Sequence, residues 1–233
     1  MIDTSFNMYS DANGGDPDVT SPTLRRYHKL LWSKPLSSGD LFDLRDDKPG
    51  FYLFHSSSLG TFSLGSDAIT HSYRDRINRK WLTTHMPEEV QELFDHGSTI
   101  GAYLVFPNNQ VDRQHTINQA RGISRLIDDR FDLTLECIRR FYINEASPLA
   151  AVLGGYAAFF RLFQTFEGYV QFFLLNDLVD EHARVKFYLP FDDFQSPPQF
   201  ADKGAYLTYK SRVESFIRAR SLRIEECAIQ MKT

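Results

Sequence analysis

Cysteine is almost missing from this chain. Cys137 and Cys227 are the only two in 233 residues, they form no CxxC pair, and they exclude a disulfide-dense secreted scaffold. No apolar run approaches the roughly 18 residues that a membrane span requires, because AVLGGYAAFF is cut at Arg161. Residues 1–15 have no basic start followed by an apolar core, so a secretory leader is not expected. A soluble, cytoplasmic protein without membrane association is the expectation. Excess positive charge is also lacking: the formal net charge is -4, which excludes a whole-surface grip on nucleic acid and leaves anion binding to local patches.

The familiar chemical fingerprints are missing too. There is no GxGxxG or GxxxxGK[ST] for nucleotide phosphates, no HExxH among the seven histidines, and no GxSxG around His55 and the serines that follow it. The acidic stretch from Asp11 to Asp18 resembles a cation loop only loosely. With Asp11 as position one, Pro22 stands where an EF-hand needs glutamate, so the stretch reads as an Asn-Gly/Asp-Pro turn.

Aromatic residues are plentiful, with 20 Phe and 11 Tyr. They supply enough apolar surface to exclude a disordered chain and predict a ring-rich core in a single domain spanning 1–233. The spacing of Tyr156, Phe159, Phe160, Phe163, Phe166, Tyr169, Val170 and Phe173 predicts a buried helix face.

Helices are also predicted over PTLRRYHKLLW, where Ser21 caps and Pro22 starts the first turn, over PEEVQELFDHG from Pro87, and over Tyr206 to Glu226. Residues Ile117 to Tyr142 read as one long amphipathic helix. Between Gly39 and Tyr73 the short runs LFDL, GFYLFH, GTFSLG and AITHSY predict small antiparallel strands, as do TIGAYLVF and VKFYLPF later. The fold class expected is therefore α+β, with a small antiparallel sheet in the first half and a mainly helical second half.

Charge patterning marks the candidate sites. On the long helix, Arg121, Arg125, Asp128, Asp132, Glu136, Arg139 and Arg140 share one arc, opposite Ile127, Phe131, Leu135 and Ile138. A column of like charges at intervals of four costs stability, so arginines, a metal or another helix must neutralise it. The polar loop ahead of it, PNNQVDRQHTINQARG, offers Asn118, with Arg121 and Arg125 as phosphate ligands. The basic segment LRRYHKLLWSK adds Arg25 and Arg26 beside aromatic residues, a pairing that suits phosphate attraction and base stacking.

These features predict binding of a phosphate-bearing ligand, a nucleotide or a short single-stranded nucleic acid. The enzymatic alternative is a phosphoester hydrolase using magnesium or another divalent metal, with Asp128, Asp132 and Glu136 on the metal, Arg121 on phosphate and His115 moving the proton. A third alternative makes the ion-rich helices a protein-interaction surface or the interface of a homo-oligomer.

The segments SPTLRRYHKLLWSKPL, DDRFDLTLECIRRFY and FEGYVQFFLLNDLV, which span most of the chain, resemble a family of uncharacterised bacterial proteins. The resemblance implies a bacterial intracellular protein and carries over no activity.

Overall fold

The computed structural model describes residues 2–111 and 114–230. Local signals produce its clearest helices. Helix α1 is the single turn Pro17–Thr20, capped by Asp16, and α2 is Pro22–Trp32, where the Ser21 hydroxyl accepts from the Leu24 amide at 3.0 Å. The acidic N-terminal segment folds back onto this basic helix. Asp11 accepts from the Ser21 hydroxyl at 2.5 Å and the Thr23 amide at 3.1 Å, so its carboxylate meets the positive end of α2 rather than a cation.

Strands β1 (Lys34–Pro35) and β2 (Leu41–Phe42) form a two-stranded ribbon. The main sheet is antiparallel, in the order β3 (Leu53–Ser57), β4 (Gly60–Ala68), β5 (Tyr103–Pro107). β4 is the central strand, but its two neighbours cover different lengths. β3 pairs with it only as far as Leu64, whereas β5 pairs with Leu64 through Ala68, so Ser66 to Ala68 keep one edge without a strand.

Helices α3 (Lys80–His85), α4 (Pro87–Gly97), α5 (Ile117–Ile123), α6 (Phe131–Tyr142), α7 (Ala150–Gly155), α8 (Ala157–Arg161), α9 (Phe166–Phe172) and α10 (Lys203–Gln230) complete the fold. Small antiparallel sheets followed by a helical half make it α+β, as the sequence predicts. Buried apolar side chains from Ile2 to Ile224 join one cluster. All eight members of the aromatic and valine stripe from Tyr156 to Phe173 lie in it.

The helix expected over the aromatic stripe is broken at Gln164 into α8 and α9, and three further elements are corrected because side chains take over backbone groups. The single helix expected over 117–142 is two helices, broken at Asp128 and Asp129, whose φ values are +47° and +59°. Aspartate tolerates this left-handed region better than most residues. The turn is locked from outside, since Tyr73 Oη donates to the Asp128 carbonyl at 3.2 Å, Arg121 Nη2 donates to the Asp129 carbonyl at 2.9 Å, and Arg79 and Arg76 pair with the two carboxylates.

The strand expected over 185–191 is reduced to one bridge, Val179 with Val185. There the Tyr188 amide donates to Asp132 at 2.8 Å, while Arg212 donates to the Phe187 and Tyr188 carbonyls at 3.0 Å. Beyond Ala68 the expected strand AITHSY is likewise irregular, because Tyr209 Oη and Tyr206 Oη serve the His71 and Ser72 carbonyls.

α10 packs against the start of β5 at a point where only glycine fits. A Cβ on Gly101 would lie 2.5 Å from Ser221 Oγ and 2.9 Å from the Ile217 carbonyl oxygen. Gly101→Ala is therefore expected to destabilise by about 1–3 kcal/mol, the usual cost of overpacking. Chemical denaturation with an unchanged m-value and a lowered midpoint is the expected result; an unchanged midpoint would show that the helix can shift at no cost.

Candidate functional site

The free edge of β4 at Ser66–Ala68 gathers the most unusual polar groups in the molecule. Asp18 reaches it from α1, Arg25 from α2, Tyr52 from the residue before β3, and Asn118 from α5, whose Nδ2 donates to the Ser66 carbonyl at 3.3 Å. The Arg25 guanidinium stacks on the Tyr52 ring at 4.6 Å. The Asp18 carboxyl and the Tyr52 hydroxyl both meet the Ser66 hydroxyl, while Arg25 Nε and Asn118 Oδ1 are buried without a hydrogen-bond partner. Native proteins leave few such atoms unsatisfied, because each costs on the order of 1–3 kcal/mol.

A directional chain of hydrogen bonds leads into this cluster from the core. Trp32 Nε1 can only donate, and it donates to His28 Nδ1 at 3.1 Å. His28 is fully buried, and burial lowers its pKa to about 3, so the ring is neutral and Nε2 carries the proton. His28 Nε2 thus donates to Ser66 Oγ at 2.9 Å, which leaves the serine hydroxyl free to point its own proton toward the cluster. This polarity removes His28 as a base for Ser66, because its only lone pair is held by Trp32.

One carboxyl group, Asp18, meets that hydroxyl, while Asp67, the next residue of β4, pairs with Arg121. Burial pushes the Asp18 carboxyl up to about 7, nearby Asp67 pushes in the same direction, and the Ser66 hydroxyl and Ala68 amide oppose the rise. Burial raises Asp67 as well, against the pull of Arg121; the guanidinium contact and the quarter of its side-chain surface that stays exposed favour its ionised form. Burial also lifts the Tyr52 phenol, while Arg25 and Ser66 temper the rise. The cluster therefore contains one carboxyl group that exchanges its proton near neutrality beside a neutral phenol.

This arrangement has a measurable signature. The folded pKa of Asp18 lies above the unfolded value of about 3.9, so between pH 4 and 7 the folded chain binds more proton than the unfolded chain, and the Asp18 contribution to stability falls as pH rises. Asp18→Asn is expected to flatten that part of the stability curve. Denaturation midpoints at pH 5 and pH 8 test this, and an identical slope in the variant would assign the effect to another group.

Next to the cluster, along α2, lies a groove of about 450 Å³ lined by Thr20, Ser21, Pro22, Arg25, Arg26, Lys29, Leu30 and Asp46. Arg25 belongs to both features, and Thr20 is two residues from Asp18. Lys29 is neutralised by Asp46 at 2.7 Å. Arg25 and Arg26 have no ion pair among the described residues, and Arg26 stands at the exposed rim with its guanidinium 5.3 Å from the Tyr27 ring centroid.

The residues selected from sequence divide into two groups. Arg25, Asn118 and Arg121 converge on the β4 edge, though Arg121 turns inward, donating to Asp67, to the Asp129 carbonyl and to Thr134 Oγ1 at 3.3 Å. His115 and Arg125 are exposed and lie apart from these contacts. In the loop before α5, Asp112 and Arg113 lie outside the described residues.

The acidic column does not form. Asp128 precedes α6 and pairs with Arg79, Asp132 with Arg130, and Glu136 with Arg139 and Arg140 at 2.8 Å each. These carboxylates are buried and separately neutralised, so a metal would have to displace an arginine from each. Among the described residues no group of three or more His, Cys, Asp or Glu side chains is placed to hold a metal ion. Sequence reasoning missed Asp18, Tyr52, Ser66 and Asp67 as partners. The one available signal was Asp67, an acid inside an otherwise buried strand segment.

Together the small antiparallel sheets and the helical half define an α+β protein. The chain belongs to a family of unknown function (DUF6994), whose model matches residues 2–224. No curated protein and no solved structure matches it. Among the described residues no helix is long and apolar enough to cross a membrane.

Proposed function

We propose that this protein binds a small phosphate-bearing ligand, about one nucleotide in size, in the groove beside α2. The observation that carries the reading is the pair Arg25 and Arg26, two cations without an acidic partner among the described residues, on the wall of a cavity of about 450 Å³. With Lys29 cancelled by Asp46, the groove keeps two positive charges. That balance suits a phosphate monoester, which carries roughly −1.5 to −2 near neutral pH.

A single nucleotide fits better than a nucleic-acid strand. Strand binding needs exposed rings as stacking platforms, and both rings that the sequence offers for that purpose, Tyr27 and Trp32, are buried in the core. The phosphate contacts are assigned to Arg25 and Arg26, not to Arg121, whose donors are already engaged.

Calorimetric titration with adenosine 5′-monophosphate and with inorganic phosphate tests the reading. Binding is expected to weaken as salt is raised. Arg25→Gln and Arg26→Gln are each expected to weaken it about tenfold or more, since a hydrogen bond to a charged group contributes about 1.5–3 kcal/mol, while Arg125→Gln leaves it unchanged. Absence of binding at low salt, or equal affinity in the Arg25 and Arg26 variants, rejects it.

A further inference from the structure

We propose that the cavity between the β1–β2 ribbon, the tip of the β3–β4 hairpin and the end of α8 binds a free α-amino acid with a large apolar side chain, held as its zwitterion. The site shares no lining residue with the α2 groove, so it stands or falls independently of the phosphate reading.

The cavity measures about 510 Å³, inside the range of about 300–1,000 Å³ usual for small-molecule sites. His55 in its wall is 1% exposed, and its surroundings fix the ring. The Phe42 ring stacks on it at 4.2 Å, the Phe62 ring lies nearly parallel at 6.4 Å, and Nδ1 is 3.1 Å from the Asp43 carbonyl oxygen. A carbonyl oxygen only accepts, so Nδ1 carries the proton, and burial lowers the His55 pKa and keeps the ring neutral. Nε2 is thereby a lone-pair acceptor, and it is buried with no hydrogen-bond partner among the described residues. With the ring stacked and its Nδ1 edge taken, the Nε2 edge is the one left to the cavity.

Two charged residues line the cavity, Asp40 and Arg161, and neither forms an ion pair among the described residues. The Ser38 hydroxyl donates to Asp40 Oδ2 at 3.0 Å, which orients the carboxylate without neutralising it. The lining is thus balanced: one cation, one anion and one neutral acceptor. A phosphate would meet a single arginine and be repelled by Asp40, whereas an α-amino acid matches all three groups. Its ammonium, which can only donate, serves His55 Nε2 and Asp40, and its carboxylate takes Arg161. Ser57 Oγ, which accepts from the Leu59 amide at 3.2 Å, keeps its own proton for the same carboxylate. The side chain of the ligand has apolar company. Leu36 and Leu162 are buried in the wall, while Leu41 and Leu59 are 56% and 41% exposed, so an apolar ligand would cover leucines that the fold leaves bare.

Calorimetric titration with L-leucine and L-phenylalanine is the test, run beside 4-methylpentanoate, which lacks the ammonium, leucinamide, which lacks the carboxylate, and glycine, which lacks the side chain. Both amino acids are expected to bind, and each of the three analogues at least tenfold more weakly. Arg161→Gln and Asp40→Asn, at exposed positions where folding is not at stake, are each expected to weaken leucine about tenfold or more. His55→Phe keeps a stacked ring and removes the acceptor, and the same loss is expected there. If neither amino acid binds, if 4-methylpentanoate and leucinamide match leucine, or if the Arg161 and Asp40 variants bind leucine unchanged, the proposal falls.

Discussion

Replacement of Arg220 by methionine is expected to cost about 4 kcal/mol or more and to leave little folded protein at 37 °C. Arg220 is fully buried in α10 and, among the described residues, has no carboxylate paired with it. Its guanidinium donates to three carbonyls instead: Phe173 at 3.2 Å, Gly101 at 2.9 Å and Tyr103 at 2.8 Å. These belong to the end of α9, the segment before β5 and β5 itself, so one side chain ties the C-terminal helix to both halves of the fold.

Burial lowers the Arg220 pKa to about 9, which still leaves it charged at neutral pH. Each orphaned buried carbonyl costs on the order of 1–3 kcal/mol, and typical domains are stable by only about 5–15 kcal/mol. Arg220→Lys is expected to recover part of the loss, because an ammonium can reach some of these acceptors but lacks the planar fork that serves all three. Urea denaturation of both variants is the measurement; a loss under about 1 kcal/mol for methionine would mean that the carbonyls find water.

What the sequence discloses and what it hides follow from the range of the interactions involved. Ser21 and Pro22, and Pro87 with Gly97, set their helices through contacts a few residues away, and those boundaries are legible. The aromatic stripe is legible as core because its spacing alone fixes a face, although Gln164, at φ +65°, breaks it into separate short helices. The break at Asp128 and Asp129 is not legible. It depends on Arg76 and Arg79, some fifty residues earlier, holding two aspartates that would otherwise continue a plausible helical pattern.

The candidate site shows the same division. Arg25 and Asn118 stand out in the sequence as polar groups on or before a helix, but the atoms that give them meaning come from α1, the residue before β3, and the strand edge left bare where β3 ends. Strand pairing that stops early is a property of the assembled sheet. No local pattern around Tyr52 or Ser66 announces it.

Arg121 is where reading charge as function and reading it as structure diverge most, and its replacement provides the decisive comparison. A solvent-facing phosphate anchor would be dispensable for folding; Arg121 is instead almost wholly buried against Asp67, Thr134 and the Asp129 carbonyl. Arg121→Ala is expected to destabilise the fold by about 3–5 kcal/mol, the usual cost of breaking a buried ion pair by removing one partner.

The destabilisation is expected to grow as pH rises. Arg121 holds the Asp67 carboxyl down against burial, so without it the acid keeps its proton to higher pH and pays an unpaired charge only when that proton leaves. Removing both groups in Arg121→Met/Asp67→Leu should restore part of the stability and abolish the pH dependence, since no charge is then left buried alone. Nucleotide affinity per folded molecule should survive Arg121→Ala while it is lost in Arg26→Gln, whose side chain is exposed and costs nothing in stability. Comparing these two arginines by denaturation and by titration separates a residue that holds the sheet edge in place from one proposed to meet a ligand.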